Sequence, residues 1–393
     1  MIPLAAQADD MLRRLAQSTS SAAIAELDAA TLLGERAMLA KWLIPGRVSA
    51  GGGARLFDAL DDTIALNLAR PDDRTLLPAL FETDVLDADN DAAIAEHTRG
   101  RDAESLVARG RSMGLAIAAE HETRPPLPSL GVELVRGPPV QRHSRKPTAR
   151  RSPRVLDLSA LWAGPLAAHL LWLAGAEVVK VESRTRPDGM RHGDPTFYAL
   201  LNQHKASVVL DFNDANDRQA LLALICASDI VIEAARPRGL AQLGIAAEKI
   251  VAATPGLVWM TITAHGAQGD AAGWVGFGDD CSVAAGLSAA LHSFTGRSGF
   301  VGDAVADPLT GIAAALLAWD SWKFARAGRF GVAMSQVAAN CIAQAKAKDP
   351  AGFAAELTRW GAAQGQPFPN VRRRQIGAVA AFGEHTHELL ARL

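Results

Sequence analysis

The chain has 393 residues, of which 49% are hydrophobic, and its 40 Lys and Arg residues nearly balance 42 Asp and Glu residues. This length allows two or three domains with a substantial buried core. The formal net charge of −2 excludes a whole-chain basic footprint for nucleic acid or for an acidic membrane surface. We therefore expect small-molecule partners.

Cysteine usage and the first residues indicate a cytoplasmic protein. Cys226, Cys281 and Cys341 form no CxxC pair and lack the spacing of a zinc site, so we predict no metal. The opening residues, MIPLAAQADDMLRRL, carry acids where a signal peptide has its apolar core. No uninterrupted apolar run reaches membrane-spanning length, so we expect a soluble protein with no membrane partner.

Residues 1–124 are predicted to form a smaller α+β domain. Helical periodicity over 10–45 precedes GRVSAGGGARLFDALDDTIALNLARPDD (46–73), which predicts a glycine-rich loop and a β-hairpin turning at Asp61-Asp62. Helices are predicted at about 75–82, 91–98 and 102–113, the last one ending in SMGLAIAAE. A proline-rich and basic segment, 125–153, follows and includes RHSRKPTARRSPR. We interpret it as an exposed linker, with phosphate binding as the alternative.

After this segment, short apolar strands alternate with helices. Strands are predicted at RVLDLS, AEVVKVES, SVVLDF, DIVIEAA and LVWMTITA, with helices between them. The alternation predicts an α/β fold with a doubly wound, Rossmann-like parallel sheet, which forms a large domain over 154–340. Residues 341–393 are predicted to be a tail that returns to this domain. Ligands on such sheets bind at the carboxyl ends of the strands.

A dinucleotide-binding site is the first alternative for this sheet. Glu182 ends the second strand about where a ribose-binding acid would stand. The first turn has only Gly164, however, where the dinucleotide fingerprint needs three glycines. The missing glycines argue against a nicotinamide enzyme.

Asp307 is the candidate catalytic residue. It lies in VADPLTGIAAALLAW (305–319), where Asp followed by Pro at the start of an apolar helix is a common capping pattern. The same position would keep a nucleophilic carboxylate ionised beside a positive helix end. On this stretch alone, cap and nucleophile stay open.

The large domain resembles the class III CoA transferases, which include formyl-CoA transferase, carnitine and bile-acid CoA transferases and the 2-methylacyl-CoA racemases. Successive blocks agree in order and spacing, namely LDLSALWAGPLAAHLLWLAGAEVVKVES, NQHKASVVLDF, VIEAARPRGLAQLG and ADPLTGIAAALLA. The resemblance implies that Asp307 attacks an acyl-CoA thioester to form a mixed anhydride, with coenzyme A as a substrate and no resident cofactor. It also implies a homodimer of interlocked chains and free carboxylic acids as second substrates.

The small-domain part of the family normally follows the large domain, whereas here AGGGARLFDALDDTIALNLA (50–69) precedes it. The closing helix of the family is similar to GEHTHELLARL (383–393), in its usual place. By this resemblance Gly51, Gly52 and Gly53 match a mobile loop that covers the catalytic aspartate. A plain turn is the alternative for these glycines.

Candidate CoA contacts follow from the same resemblance, although several pocket residues of the family are replaced. The Asn-Phe pair is Ala234-Ala235, an arginine is Gln242, and the arginine after Lys205 is Ala206. The positions that match the CoA pocket are Trp162, Ala163, Arg184, Lys205, Ala234, Ala235, Arg236 and Gln242. Among them we expect Lys205, Arg236 and Arg184 to contact phosphate, with solvated surface charge as the alternative.

The racemase branch of the family pairs the aspartate with a histidine, and Asp279 in GFGDDCSV stands at that place. A second carboxylate could serve as the second base of a racemase; Asp279 and Asp280 as loop residues or caps are the alternative. His265 falls at a different point and is expected to bond locally. We therefore predict a CoA transferase, with a 2-methylacyl-CoA racemase and a non-catalytic CoA-ester-binding subunit as alternatives.

Overall fold

The computed structural model describes residues 2–122, 124–139, 152–235 and 237–392. The helices of these residues are α1 Ala5–Thr19, α2 Ala22–Ala25, α3 Ala29–Leu39, α4 Leu77–Leu80, α5 Asp91–Arg99, α6 Ala103–Ser112, α7 Ala163–Leu173, α8 Pro195–Asn202, α9 Ala215–Cys226, α10 Pro237–Gln242, α11 Ala247–Ala253, α12 Gly278–Ala284, α13 Leu287–Thr295, α14 Ala306–Lys323, α15 Met334–Lys348, α16 Pro350–Ala362 and α17 Thr386–Leu390. The strands are β1 Ala54–Asp58, β2 Thr63–Asn67, β3 Ala116–Ala119, β4 Val132–Arg136, β5 Arg154–Asp157, β6 Glu177–Ser183, β7 Ala206–Leu210, β8 Ile230–Glu233, β9 Val258–Thr263 and β10 Gly328–Ala333.

The larger sheet has the strand order β4-β10-β9-β8-β5-β6-β7. All neighbours are parallel except β4, which pairs antiparallel with β10 at one edge. Chain order reverses between β5 and β8, which is the topological switch point of a doubly wound sheet. The predicted α/β fold with a Rossmann-like sheet is therefore confirmed.

The strands are apolar on both sides because helices cover both faces of the sheet. In β8, Ile230 and Ile232 face the core beneath α7 and α14, whereas Val231 faces α9 and α11. In β9, Met260 lies on the first side and Trp259 on the second. This period of two on a doubly covered strand produces the continuous apolar runs of the sequence.

The first helices pack onto the larger sheet rather than onto the smaller one. Leu4, Met11 and Leu15 belong to the same buried cluster as Leu166 of α7 and Ile312 of α14. The predicted periodicity over 10–45 resolves into α1, α2 and α3. The predicted domain boundaries stay predictions, but these helices share the core of the predicted large domain.

The smaller sheet is antiparallel, with the order β1-β2-β3. The predicted hairpin corresponds to β1 and β2, whose register pairs Phe57 with Ile64. Part of SMGLAIAAE, predicted as the end of a helix, is instead strand β3, since pairing with β2 buries Ile117 on one face of the sheet and Ala118 on the other. One face of the sheet packs on α4, α5 and α6, and the other packs on Val283 and Ala284 of α12.

The ends of the larger sheet are built from segments predicted as linker and tail. Within 125–153, β4 forms an edge strand, while residues 140–151 lie outside the described part. In the tail, His385 donates its backbone N–H to Ser207 of β7, and Thr386 Oγ1 accepts from Val209 at 3.0 Å. No helix in the described ranges has both the length and the apolar character needed to cross a membrane.

Gly311 on α14 controls how closely this helix approaches α7. A Cβ atom there would lie 2.8 Å from the carbonyl oxygen of Ala163 and 3.0 Å from Leu166 Cβ. We predict that Gly311→Ala lowers the free energy of unfolding by about 1–3 kcal/mol, because overpacking outweighs the helix propensity gained. Urea unfolding measures the change. Gly100→Ala is the matched control, since a Cβ there meets no atom within 4 Å; equal effects of the two variants would contradict the close-approach explanation.

Candidate active site

Asp307 lies where the first turns of several helices meet. Helix α14 begins at Ala306, so its N-cap residue is Val305 and Asp307 lies within the first turn. Its carboxylate instead interacts with the backbone N–H groups of Ala163 and Gly278, the first residues of α7 and α12. The interpretation of Asp307 as a cap of its own helix is therefore wrong, because the helix starts one residue earlier and the side chain points to its neighbours.

Gly278 is required at this point because a side chain would overlap the carboxylate. A Cβ atom on Gly278 would overlap Asp307 Oδ2 and would lie 2.8 Å from the carbonyl carbon of Ala304. The missing side chain lets the N-terminus of α12 present its N–H groups directly to Asp307. Helix N-termini carry partial positive charge and stabilise anions. The same donors could stabilise negative charge that develops on an oxygen bonded to this carboxyl group.

Burial sets the charge state of Asp307. Burial raises the pKa of Asp307 to about 6, while Arg36 and the N–H groups of Ala163 and Gly278 act in the opposite direction. The residue is half-buried, so part of its surface stays accessible. A carboxylate with a raised pKa is more basic than an ordinary aspartate, and it is still ionised at neutral pH.

Asp279, the predicted second base, forms an acidic cluster with Asp303 and Asp307. It stands in the first turn of α12, and its Oδ1 accepts the backbone N–H of Ala304 at 3.0 Å. Burial and the charge of Asp303 raise the pKa of Asp279 to about 7, and Asp307 acts in the same direction. Ala304 has a φ of 43°, a strained value that the bond to Asp279 stabilises.

The sequence analysis missed Arg36, which comes from α3 far outside the resembling blocks. Its Nε donates to Asp303 Oδ2 at 2.9 Å and its Nη2 donates to Oδ1 of the same fully buried carboxylate. The guanidinium carbon lies 4.4 Å from the ring centre of Trp162 and 5.3 Å from that of Trp42. A charge in the last turn of an amphipathic helix gives no sign of such burial, so the sequence held no signal for it.

The glycine loop lies beside Trp42, which contacts this arginine. A Cβ on Gly51 would meet the ring of Trp42 at 3.1 Å, and Gly53 lies against Asn67 and Ala69. Gly52 has a φ of 72° with open space around it, which matches a turn that favours glycine. The loop thus borders the tryptophan that contacts Arg36, and its role as a cover for Asp307 stays a prediction.

A cleft of about 1750 Å³ opens between the smaller sheet and the carboxyl ends of the larger sheet. Ala235 after β8 and Gln242 of α10, both predicted CoA contacts, line it, together with Arg186 after β6. Arg111 and Trp274 both line it and contact each other, with the Arg111 guanidinium 4.1 Å from the Trp274 ring centre. The cleft therefore occupies the position where doubly wound sheets bind ligands.

The remaining predicted CoA contacts divide into buried and surface residues. Trp162 is enclosed, and Ala163 holds Asp307. Arg184 and Ala234 are exposed just after β6 and β8, and Arg236 lies outside the described residues.

Lys205 cannot contact a phosphate in this structure. It is buried, and its Nζ donates to Asp157 Oδ2 at 2.8 Å and to the carbonyl oxygen of Pro165 at 2.9 Å. Burial lowers its pKa to about 8 against the pull of Asp157. The prediction for Lys205 was wrong because the spacing of NQHKAS does not reveal that the side chain is buried against Asp157 and Pro165.

Lys205 and Lys180 instead hold the loop that leads to Trp162. Lys180 Nζ donates to the carbonyl oxygen of Ser159 at 2.9 Å and pairs with Asp188 at the same distance. Asp188 in turn accepts the backbone N–H of Leu161 at 3.0 Å. This buried network fixes residues 158–162, and through them the N-terminus of α7.

A chain of contacts joins the cleft to the acidic cluster. The Trp274 ring meets the His265 ring edge-on at 5.9 Å, and His265, Asp280 and Cys281 offer side-chain atoms within 4.8 Å of one another. Asp280 accepts the backbone N–H of Phe277 at 3.0 Å, as the loop-or-cap alternative implied.

Asp62, Glu120 and His121 form a second group with metal-ligand atoms. The expected absence of a metal stays a prediction.

Residues 152–320 match the family model described as CoA-transferase family III. This segment belongs to that family. The resemblance of the large-domain blocks is thereby confirmed, and Asp307, Asp279, Ala163 and Gly278 all lie inside the matched segment. Arg36, Trp42 and the glycine loop lie before it.

Relatives of known name match part of the chain. The succinyl-CoA–D-citramalate CoA-transferase of Chloroflexus aurantiacus is 31% identical over 180 residues, which is 44% of this chain and 44% of that protein. The succinyl-CoA:glutarate CoA-transferase of Mus musculus is 29% identical over 230 residues, covering 55% and 52%. A crystal structure of a hypothetical protein from Mycobacterium tuberculosis has a TM-score of 0.45 at 28% identity, covering 52% of this chain and 59% of that one. The chain spans about half the length of the curated relatives it matches.

The raised pKa of Asp279 predicts a pH-dependent stability difference. Its folded-state pKa of about 7 exceeds the value of about 4 in an unfolded chain. Folding therefore favours the protonated form, and the wild type loses stability as pH rises from about 4 to 7. Asp279→Asn keeps an acceptor for Ala304 but no charge, so we predict that it is more stable than the wild type by about 1–2 kcal/mol at pH 8 and nearly equal at pH 4.

Urea unfolding of both proteins at the two pH values measures this difference. Asp72→Asn on an exposed turn is the control, and we expect a small change at either pH. A destabilised Asp279→Asn protein at pH 8 would show that the charge of Asp279 is well compensated in the fold.

Proposed function

We propose that the protein is a CoA transferase that moves coenzyme A between an acyl-CoA and a free carboxylic acid, with Asp307 as the nucleophile. The observation that carries the proposal is the placement of the Asp307 carboxylate against the N-termini of α7 and α12, inside a segment of CoA-transferase family III. A carboxylate that is accessible, ionised and surrounded by N–H donors suits attack on a thioester.

The reaction balances through two kinds of acyl intermediate. An Asp307 oxygen attacks the thioester carbonyl of the donor, the carbon–sulfur bond breaks, and the thiolate of CoA leaves behind a mixed anhydride. The thiolate attacks the Asp307 carbonyl, which releases the donor acid and leaves an aspartyl thioester. The acceptor carboxylate then displaces the thiolate to form a second anhydride, and the thiolate attacks the acceptor carbonyl, which gives the new acyl-CoA and free Asp307.

The surroundings of Asp307 support each of these steps. The N–H groups of Ala163 and Gly278 interact with the carboxyl group and could stabilise the oxyanion of a tetrahedral intermediate. Enclosure limits access of water, which would hydrolyse an anhydride. Gly51, Gly52 and Gly53 beside Trp42 are proposed to complete this enclosure when substrate is bound.

We place CoA in the cleft at the carboxyl ends of the larger sheet. Ala235 and Gln242 line the cleft, and Arg186 offers a positive side chain there. The names of two relatives include succinyl-CoA together with D-citramalate or glutarate. Succinyl-CoA as donor, with glutarate or citramalate as acceptor, is therefore the first substrate set to test. The interlocked homodimer remains part of the proposal.

Asp307→Asn is predicted to abolish CoA exchange, since an amide accepts a hydrogen bond but cannot attack a thioester. In the wild type, the single-turnover rate of CoA release should rise between about pH 5 and pH 7 as Asp307 ionises, because burial raises its pKa to about 6. Hydroxylamine added during turnover should convert the activated Asp307 carboxyl group to an aspartyl hydroxamate in the wild type only, since hydroxylamine also reacts directly with free acyl-CoA. Liquid chromatography with mass spectrometry measures exchange and hydroxamate together.

Asp320→Asn is the matched control for this experiment. Asp320 lies on the same helix, where it accepts from Ser18 Oγ, an interaction that asparagine can retain. We expect this variant to exchange CoA at the wild-type rate. Exchange by Asp307→Asn at a wild-type-like rate would overturn the nucleophile.

Racemisation of a 2-methylacyl-CoA is the second candidate, and the proximity of Asp279 to Asp307 favours it. The charge of Asp307 contributes to the raised pKa of Asp279, and a racemase needs two bases that flank one carbon. In heavy water, a racemase incorporates deuterium at the α-carbon of 2-methylacyl-CoA without any acceptor acid. We predict no incorporation by the wild type, and incorporation that Asp279→Asn abolishes would move the assignment to the racemase.

A further inference from the structure

Arg36 has donors that the fold does not use. Its Nε and Nη2 bind Asp303, whereas Nη1 has no hydrogen-bond partner within the described ranges. The side chain keeps 21% of its surface exposed although it lies between Trp42 and Trp162. The two tryptophan rings and Asp303 therefore hold the guanidinium in one place and leave one edge of it free.

The guanidinium acts on the catalytic cluster. The positive charge of Arg36 lowers the pKa of both Asp279 and Asp307, and their negative charges raise the pKa of Arg36. Asp303 completes a set of carboxylates around this cation. Arg36 thus belongs to the acidic cluster, although the chain supplies it from α3, before the family segment.

The proposed reaction makes a cation necessary here. Each cycle releases one free acid and admits another while Asp307 is an uncharged thioester, and each acid carries a negative charge into a cluster that still holds Asp279 and Asp303. Repulsion between like charges within about 5 Å is strong in an enclosed site. A planar guanidinium is the side chain best suited to bind a carboxylate, since its paired N–H groups match the two oxygens.

We propose that Arg36 is the residue that receives the carboxylate of the acyl acceptor, through its free Nη1 edge, and that it holds the released donor acid in the same way. This inference rests on the proposed CoA transfer and deepens it. It assigns recognition of the acid to the N-terminal helices and recognition of CoA to the family segment. The alternative is a purely structural ion pair that ties α3 to the turn before α14.

Arg36→Lys and Arg36→Gln separate these explanations through the dependence of rate on each substrate. With succinyl-CoA as donor and glutarate as acceptor, we expect both variants to raise the KM for glutarate at least tenfold. The KM for succinyl-CoA and the yield of hydroxamate without acceptor should stay within about threefold of the wild type. A structural role would instead lower all of these values together as the folded fraction falls.

Arg374→Gln is the matched control. Arg374 Nε donates to Glu35 Oε2 at 2.8 Å, so Arg374 binds the neighbouring residue of the same helix in an equally enclosed pair that does not contact the acidic cluster. We expect Arg374→Gln to lose stability as Arg36→Gln does but to keep the wild-type KM for glutarate. An unchanged KM for glutarate in both Arg36 variants, or an equal increase in Arg374→Gln, would overturn the inference.

A binding measurement tests Arg36 independently of turnover. Because Arg36 lies against Trp42 and Trp162, glutarate bound to it should change tryptophan fluorescence in a saturable way. We expect saturation in the wild type and in Asp307→Asn, and at least tenfold weaker binding in Arg36→Lys and Arg36→Gln. If the wild type exchanges no CoA, the proposed function fails, and this titration still decides whether Arg36 binds a carboxylate. Equal binding by wild type and Arg36 variants would refute it.

Discussion

The convergence of helix N-termini on one carboxylate is the constraint on which the rest of the site depends. The Asp307 carboxylate can interact with the backbone N–H groups of α7 and α12 only if the backbones of these helices and of α14 approach one another closely. Gly278 and Gly311 permit this approach, because a methyl group at either position would overlap a neighbour. The order of the larger sheet places α7 directly after β5 at the switch point, so the fold itself brings one of these helix ends to the site.

The electrostatic balance of the site follows from this geometry. Helix ends and Arg36 favour negative charge, whereas burial and neighbouring carboxylates oppose it. The outcome is a set of carboxyl groups that titrate near neutral pH rather than near pH 4. Such groups exchange protons readily under physiological conditions, and small changes in their surroundings shift which of them carries the charge. The strained turn at Ala304 is stabilised by one of these groups, so backbone geometry and charge state are coupled.

Much of the fold could be predicted because its signals are local. Apolar runs bounded by turns predicted β5 to β9, and a doubly covered sheet demands such runs. Strand β4 was hidden in a proline-rich basic segment, since an edge strand needs little apolar character. Strand β3 has only four residues, and three of them are alanines, which favour helices over strands.

The site was predicted less completely because burial depends on distant segments. The resemblance named Asp307, Asp279 and Ala163, and the structure shows that Asp307 interacts with the other two. Lys205 was assigned to phosphate, although residues far away in sequence bury it, and no local pattern shows which lysine is enclosed. Arg36 was missed because its burial also depends on a distant segment of the chain. Its partner Asp303 follows it by 267 residues, a separation that spacing cannot reveal.

The core shared between the first helices and α14 has a consequence for how the chain acquires its structure. Met11 and Leu15 are buried against side chains that are synthesised some 300 residues later. During translation these apolar surfaces stay exposed until most of the chain has been synthesised. Contacts of such long range slow folding and expose the nascent chain to aggregation. Completion of the core, and with it the pairing of Arg36 with Asp303, therefore requires most of the chain to have been synthesised.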